Sequence, residues 1–93
     1  MEQTVAKVSF TGHLQRHLAI EPLTVNGATL AEVLNEVFQR YPALRTYLLD
    51  DQRGLRQHVA IFIDGQQIRD RRHFKDLTPA NAEVFVAQAL SGG

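Results

Sequence analysis

The chain has 93 residues, enough for one domain with one core and too few for two. Its 10 basic and 10 acidic side chains cancel, so no overall field attracts nucleic acid or an anionic membrane, and no apolar run reaches the length of a bilayer span. It has no cysteine, which excludes a disulfide, a thiol nucleophile, a cysteine metal site and a persulfide held on its own side chain.

Thr4 to Phe10 alternates, with Ala6, Val8 and Phe10 on one side and Val5, Lys7 and Ser9 on the other, so this segment is expected to be a strand. Thr11-Gly12 reads as a turn that runs through His13 and Leu14 into a second strand, roughly Arg16 to Val25. Pro22 lies inside that span and cannot donate to a ladder, which predicts an edge strand. Asn26-Gly27 closes the segment as a loop. Thr29-Leu30-Ala31-Glu32 is a capping box. After it, Leu30, Val33, Leu34, Val37, Phe38 and Tyr41 recur at helical spacing as one apolar stripe. Pro42 stops that helix, a shorter helical turn is expected over 43–49, and the polar 50–57 stretch with Gly54 reads as a loop.

His58 to Ile63 is expected to be a strand, with Val59, Ile61 and Ile63 on one face and Ala60 and Phe62 on the other. Asp64-Gly65 is a two-residue hairpin signal, because a type I′ turn needs positive φ at both central positions. Gln66 to Arg69 is the short return strand, 70–82 is irregular, and Glu83 to Gln88 is the last strand. One main amphipathic helix with four to five strands predicts a two-layer α+β fold. The first and last strands have the apolar character of central strands. Paired across a crossover that contains the helix, they run parallel, which is the β-grasp arrangement. The domain is expected to span 1–88, followed by a flexible tail over 89–93.

That tail is the most distinctive stretch. Val84-Phe85-Val86-Ala87 leads through Gln88-Ala89-Leu90-Ser91 to Gly92-Gly93. Glycine has no Cβ, so such an end is thin enough to deliver a carboxylate into a narrow cleft of another protein. The plainer alternative is a frayed end or a cloning remnant.

With this tail, the chain resembles the ThiS/MoaD-like β-grasp sulfur-carrier family of thiamine and molybdopterin biosynthesis. The resemblance runs along the whole chain. It rests on Thr29-Leu30-Ala31-Glu32-Val33-Leu34 opening the helix, Tyr41-Pro42 closing it, Val59 to Gly65 as strand and hairpin, and Glu83 to Gly93. Gly92-Gly93 is the specific part. The 50–57 loop makes the chain more similar to the long-loop branch. It departs from the family at the turn before the last strand, where the usual Asp-Gly-Asp reads Ala80-Asn81-Ala82.

The resemblance implies shared ancestry with ubiquitin and a role as protein cosubstrate, not enzyme. An activating enzyme would use ATP to adenylate the Gly93 carboxylate, and a sulfur donor would convert it to a thiocarboxylate. Gly92 and Gly93 would thread that enzyme's cleft, with Ser91 and Leu90 at its mouth. The partners implied are the adenylating enzyme, a sulfur donor protein and a downstream sulfur-accepting enzyme. No bound cofactor, nucleic acid or membrane is expected, and the chain is expected to be a cytoplasmic monomer in isolation. Strand alternation leaves Ala60, Phe62, Phe85 and Ala87 on the open sheet face as the predicted docking surface. The alternatives are that a loop covers this face or that Phe85 belongs to the core. Two other functions share these features: a ubiquitin-like modifier joined through Gly93 to lysines, and a non-reactive interaction module.

The remaining constellations are weak. His13 and His17 are spaced i, i+4 but fall in the predicted turn and strand, so no metal site is expected. His58 and His73 read as ordinary polar positions, and Asp50-Asp51 as a poor acid–base pair because adjacent side chains diverge. Arg53, Arg56, Arg69, Arg71, Arg72 and Lys75 form a local basic excess, read as a solvated face or a steering patch for an acidic partner.

Overall fold

The computed structural model describes residues 5–88, apart from the side chains of His13 and His17. In chain order the elements are β1 (Val5–Phe10), α1 (Gly12–Leu18), β2 (Leu23–Asn26), α2 (Leu30–Arg40), α3 (Ala43–Leu48), β3 (Val59–Ile63), β4 (Gln66–Gln67) and β5 (Ala82–Gln88). The strands form one mixed sheet in the order β2-β1-β5-β3-β4. β1 and β5 pair in parallel at its centre, and the other pairings are antiparallel. This is the β-grasp arrangement expected from the strand order.

The helical layer buries one face of the sheet. Leu30, Val33, Leu34, Val37 and Phe38 of α2 form a single buried stripe. Opposite them lie Ala6, Val8 and Phe10 of β1, Val59 and Ile61 of β3, and Val84 and Val86 of β5, all buried. Ile63 joins this core only in part. The capping box forms: Thr29 Oγ1 accepts from the Glu32 amide at 3.3 Å. The Glu32 carboxylate reaches one residue further back than the simplest box, accepting from the Ala28 amide at 2.8 Å. The exposed first amides of α2 find partners in the distant 70–78 loop, Leu30 on the Asp76 carbonyl and Ala31 on the Phe74 carbonyl, both at 2.9 Å. Gly27 is required for the approach to α2, since a Cβ there would lie 2.8 Å from Val33 Cγ2 and 2.9 Å from its amide nitrogen.

The expected second strand over 16–25 is wrong in its first half. Gly12–Leu18 is a helix, and β2 begins only at Leu23, after Pro22. Apolar residues in so short a run do not separate helix from strand. Docking decides it: Leu14 is fully buried, the Thr11 amide is anchored on the Val86 carbonyl at 3.1 Å, and Ala19 ends the helix in a left-handed turn with φ 54°. β2 is an edge strand as expected, but Pro22 precedes it and is not the reason. His13 and His17 consequently lie on a helix.

The Asp64-Gly65 turn has φ of 51° and 84°, the positive pair that the hairpin signal requires. It is tied to β5 through Asp64 N–H to the Glu83 carbonyl (2.8 Å) and Glu83 N–H to Asp64 Oδ1 (2.9 Å). The return strand β4 is shorter than the expected 66–69, although Ile68 N–H still bonds the Ile61 carbonyl at 3.0 Å. The Ala80-Asn81-Ala82 turn works because Asn81 takes the left-handed position at φ 63°, one that asparagine tolerates.

The two loops expected to be irregular are internally bonded. Asp50 Oδ1 accepts from the amides of Gln52 (2.9 Å) and Gly54 (3.0 Å), and Leu55 in the same loop is buried. Asp70 accepts from the amides of Arg72, His73 and Lys75. These bonds, the one from His73 foremost, outweigh partial burial and lower the Asp70 pKa from 3.8 to about 2.

Candidate docking face and the strand that leads toward Gly93

The second face of the sheet has no helix over it. Register places Phe62 of β3 directly opposite Phe85 of β5, and Ala60 directly opposite Ala87. All four expected docking residues therefore share one face. Phe85 is 39% exposed, so it does not belong to the core, and Ala60, Phe62 and Ala87 are partly exposed. On the other side of Phe85 lies Ser9 of β1, and next to that pair lie Lys7 and Glu83, so polar side chains border the aromatic pair. An apolar centre with a polar border is the composition of a protein-docking patch.

Beside this patch, at the end of the sheet where β5 stops, is a cavity of ≈ 320 Å³. Ala60, Phe62, Ala87 and Gln88 line it, along with His58 and Arg71. Only the first three were expected at a docking site. Arg71 could not have been found from spacing, because it comes from the 70–78 loop. Its Nη2 donates to the carbonyls of Arg56 (2.7 Å) and Val59 (2.9 Å), which fixes the start of β3 beside the cavity. His58 carried a usable signal, since it directly precedes β3.

Leu90, Ser91, Gly92 and Gly93, the remaining expected site residues, lie outside the described residues. What is described is the strand that leads to them. β5 pairs on both sides, with β1 and with β3, as far as Val86, and its last residues Ala87 and Gln88 pair with Ala60 and Val59 of β3. The four positions past Ala89 are thus attached to a strand hydrogen-bonded at the middle of the sheet.

Among the described residues, no group of three histidine, aspartate or glutamate side chains is arranged to hold a metal ion, and no helix is long and apolar enough to cross a membrane.

No protein-family model matches the sequence, and no curated protein matches it. Solved structures do. SAMP1 from Haloferax volcanii superposes with a TM-score of 0.81 at 20% identity, over 96% of this chain and 99% of that one. The small archaeal modifier protein 1 (SAMP1) from Methanosarcina acetivorans gives 0.79 at 23% identity, over 100% of both chains. A chain of the Amycolatopsis orientalis BexX/CysO complex gives 0.79 at 18% identity, over 95% of this chain and 99% of that one. Likeness at these identities is likeness of fold, and it agrees with the strand order, the parallel β1–β5 centre and the α2 crossover: the chain has the ubiquitin-like β-grasp fold that its sequence resembles in the ThiS/MoaD-like proteins.

Proposed function

We propose that the chain is a sulfur carrier whose reacting atom is the carbonyl carbon of Gly93. The observation that carries this reading is the course of β5, a doubly paired strand that ends five residues before Gly93 next to an uncovered apolar face. The chain has no cysteine that could carry the sulfur itself. A fold shared with a chain of the BexX/CysO complex adds support.

The chemistry follows from the leaving group. A carboxylate does not expel an oxygen to a sulfur nucleophile. An oxygen of the Gly93 carboxylate attacks the α-phosphorus of ATP on a separate activating enzyme, and pyrophosphate leaves. Hydrosulfide, or its equivalent from a donor protein, then adds to the carbonyl carbon and AMP departs with the C–O electron pair. The product is a thiocarboxylate, which a downstream enzyme consumes. Gly92 and Gly93 leave room for the nucleotide to approach, Ser91 and Leu90 meet the mouth of the cleft, and Phe62, Phe85, Ala60 and Ala87 hold the enzyme.

The test is intact mass after incubation with the cognate activating enzyme, ATP and sulfide. The expected result is a gain equal to the exchange of one oxygen for sulfur, lost on deletion of Gly93 while the melting temperature stays the same. No gain with an enzyme shown to be active on another carrier overturns the reading.

A second reading is favoured by the likeness to the small archaeal modifier protein 1 from Methanosarcina acetivorans. In it, the activated Gly93 acylates lysines of other proteins and the chain acts as a modifier. Isopeptide-linked adducts in cells without a detectable thiocarboxylate would select it.

A further inference from the structure

We infer that the helical layer carries a second recognition surface, a pocket rimmed by guanidinium groups that receives a carboxylate side chain from an acidic segment of a partner protein. The pocket, ≈ 170 Å³, lies where α2, α3 and the 50–57 and 70–76 loops meet. Its floor is apolar, made by the buried Leu34, Phe38, Leu49 and Phe74. Its rim is Arg45, Arg53 and Arg72, all exposed, and no acidic residue lines it. It lies on the layer opposite the Phe62–Phe85 face, so this inference does not depend on any chemistry at Gly93.

Three observations indicate that the charges are placed and left uncompensated. Arg45 is held over the Phe38 ring, 5.1 Å from its centroid, and Arg72 Nη2 donates to Gln52 Oε1 at 3.1 Å. Three carboxylates of the two loops are engaged by amides: Asp50 by those of Gln52 and Gly54, Asp70 by those of Arg72, His73 and Lys75, and Asp76 by those of Arg69 and Asp70. Among the described residues, no ion pair joins Arg45, Arg53 or Arg72 to a carboxylate. Finally, Arg53 and Phe74, both lining this pocket, have the left-handed φ values of 67° and 57°. Such a conformation is disfavoured for a residue with a side chain, so the loops hold these two side chains in place against a local preference.

The chemistry selects the occupant. A guanidinium is a planar fork that matches a carboxylate in two-point contact, and it gives up its hydration more readily than an ammonium. The apolar floor suits the methylene stem of a glutamate or an apolar neighbour beside it, which a free phosphate would leave unused. No bundle of backbone amides converges here to cradle a free oxyanion, because the first amides of α2 are taken by the Phe74 and Asp76 carbonyls. Charge complementarity therefore points to an acidic protein segment.

The test is a titration of the isotopically labelled full chain, followed by NMR. The probes are a short peptide of glutamate and leucine, its glutamine-and-leucine counterpart, and inorganic phosphate. The expected result is saturable, salt-sensitive shifts with the acidic peptide alone, at the side-chain Nε groups of Arg45, Arg53 and Arg72 and the amides of 31–38. R53E/R72E should weaken binding by about tenfold or more, and Arg40→Glu, outside the pocket, should leave it within about twofold. Equal binding of the glutamine peptide, the same shifts with phosphate, or unchanged binding by R53E/R72E overturns the proposal. If the double reversal perturbs the fold, R53Q/R72Q replaces it and is read in the same way.

Discussion

The two faces of β5 differ in kind although their residues alternate along one strand. Val84 and Val86 face the helical layer and are fully buried, whereas Phe85 between them is 39% exposed. The larger apolar side chain is the one left partly in water. On the buried face every side chain meets a counterpart: Val84 and Val86 pair with Val8 and Phe10 of β1 and with Ile63 and Ile61 of β3, under the stripe of α2. On the other face, Phe85 has Phe62 and Ser9 as register partners and nothing above it among the elements of the fold. On the proposed function, the difference separates stability from recognition. One face holds the domain together, and the other is available to a partner at the strand that leads toward Gly93.

The largest expected effect comes from making the buried face resemble the open one. Val86→Asp would place an unpaired carboxylate at a fully buried position, a defect of the class that costs more than about 4 kcal/mol. Loss of the cooperative thermal transition is the expected outcome, and a well-folded variant would mean that the helical layer does not seal this face. A smaller effect concerns the loop over the buried side. Asp70 is held charged by loop amides, with its pKa lowered to about 2. Its folded pKa lies below its unfolded one, so its contribution is fully present above about pH 4 and lost as pH falls through about 2. Asp70→Asn should therefore flatten this part of the pH dependence of the melting temperature. An unchanged slope between pH 4 and 2 would show that the loop does not depend on the charge. The smallest effect on stability belongs to Phe85→Asp, expected at about 1 kcal/mol in denaturant unfolding, because the side chain is 39% exposed and what it loses is its cross-strand pairing with Phe62. The same variant should weaken binding to the activating enzyme by about tenfold, the cost of losing an aromatic anchor. Strong destabilisation, or binding left intact, would erase the distinction between the faces.

The open face was legible because strand alternation is a local rule. Once Val84 and Val86 point inward, Phe85 and Ala87 must point outward, and the Asp64-Gly65 turn sets the register of β3 against its hairpin partner. The cavity beside the face was only half legible, since Ala60, Phe62 and Ala87 follow from alternation whereas Arg71 arrives from a loop. The arginine pocket was less legible still. The sequence has a basic excess over 53–75, but Arg45 belongs to α3, and Arg56, Arg69 and Arg71 do not line the pocket. Which basic side chains converge depends on how two loops fold over a helix.

What the sequence by itself determined is what short-range physics enforces. Thr29 and Glu32 start α2, Pro42 ends it, period-two alternation assigns the inner and outer residues of β1, β3 and β5, and Asp64-Gly65 makes the hairpin. Tertiary structure decided what short-range preference leaves balanced. Leu14 and Leu18 suit a helix or a strand equally, and only burial against the core, with the Thr11 amide on the Val86 carbonyl, made 12–18 a helix. The 50–57 and 70–78 loops, without periodicity of their own, took their shape from carboxylates closing on amides and from contacts with α2 and β3. Those contacts join residues distant along the chain, so they form only once the sheet and helices are assembled.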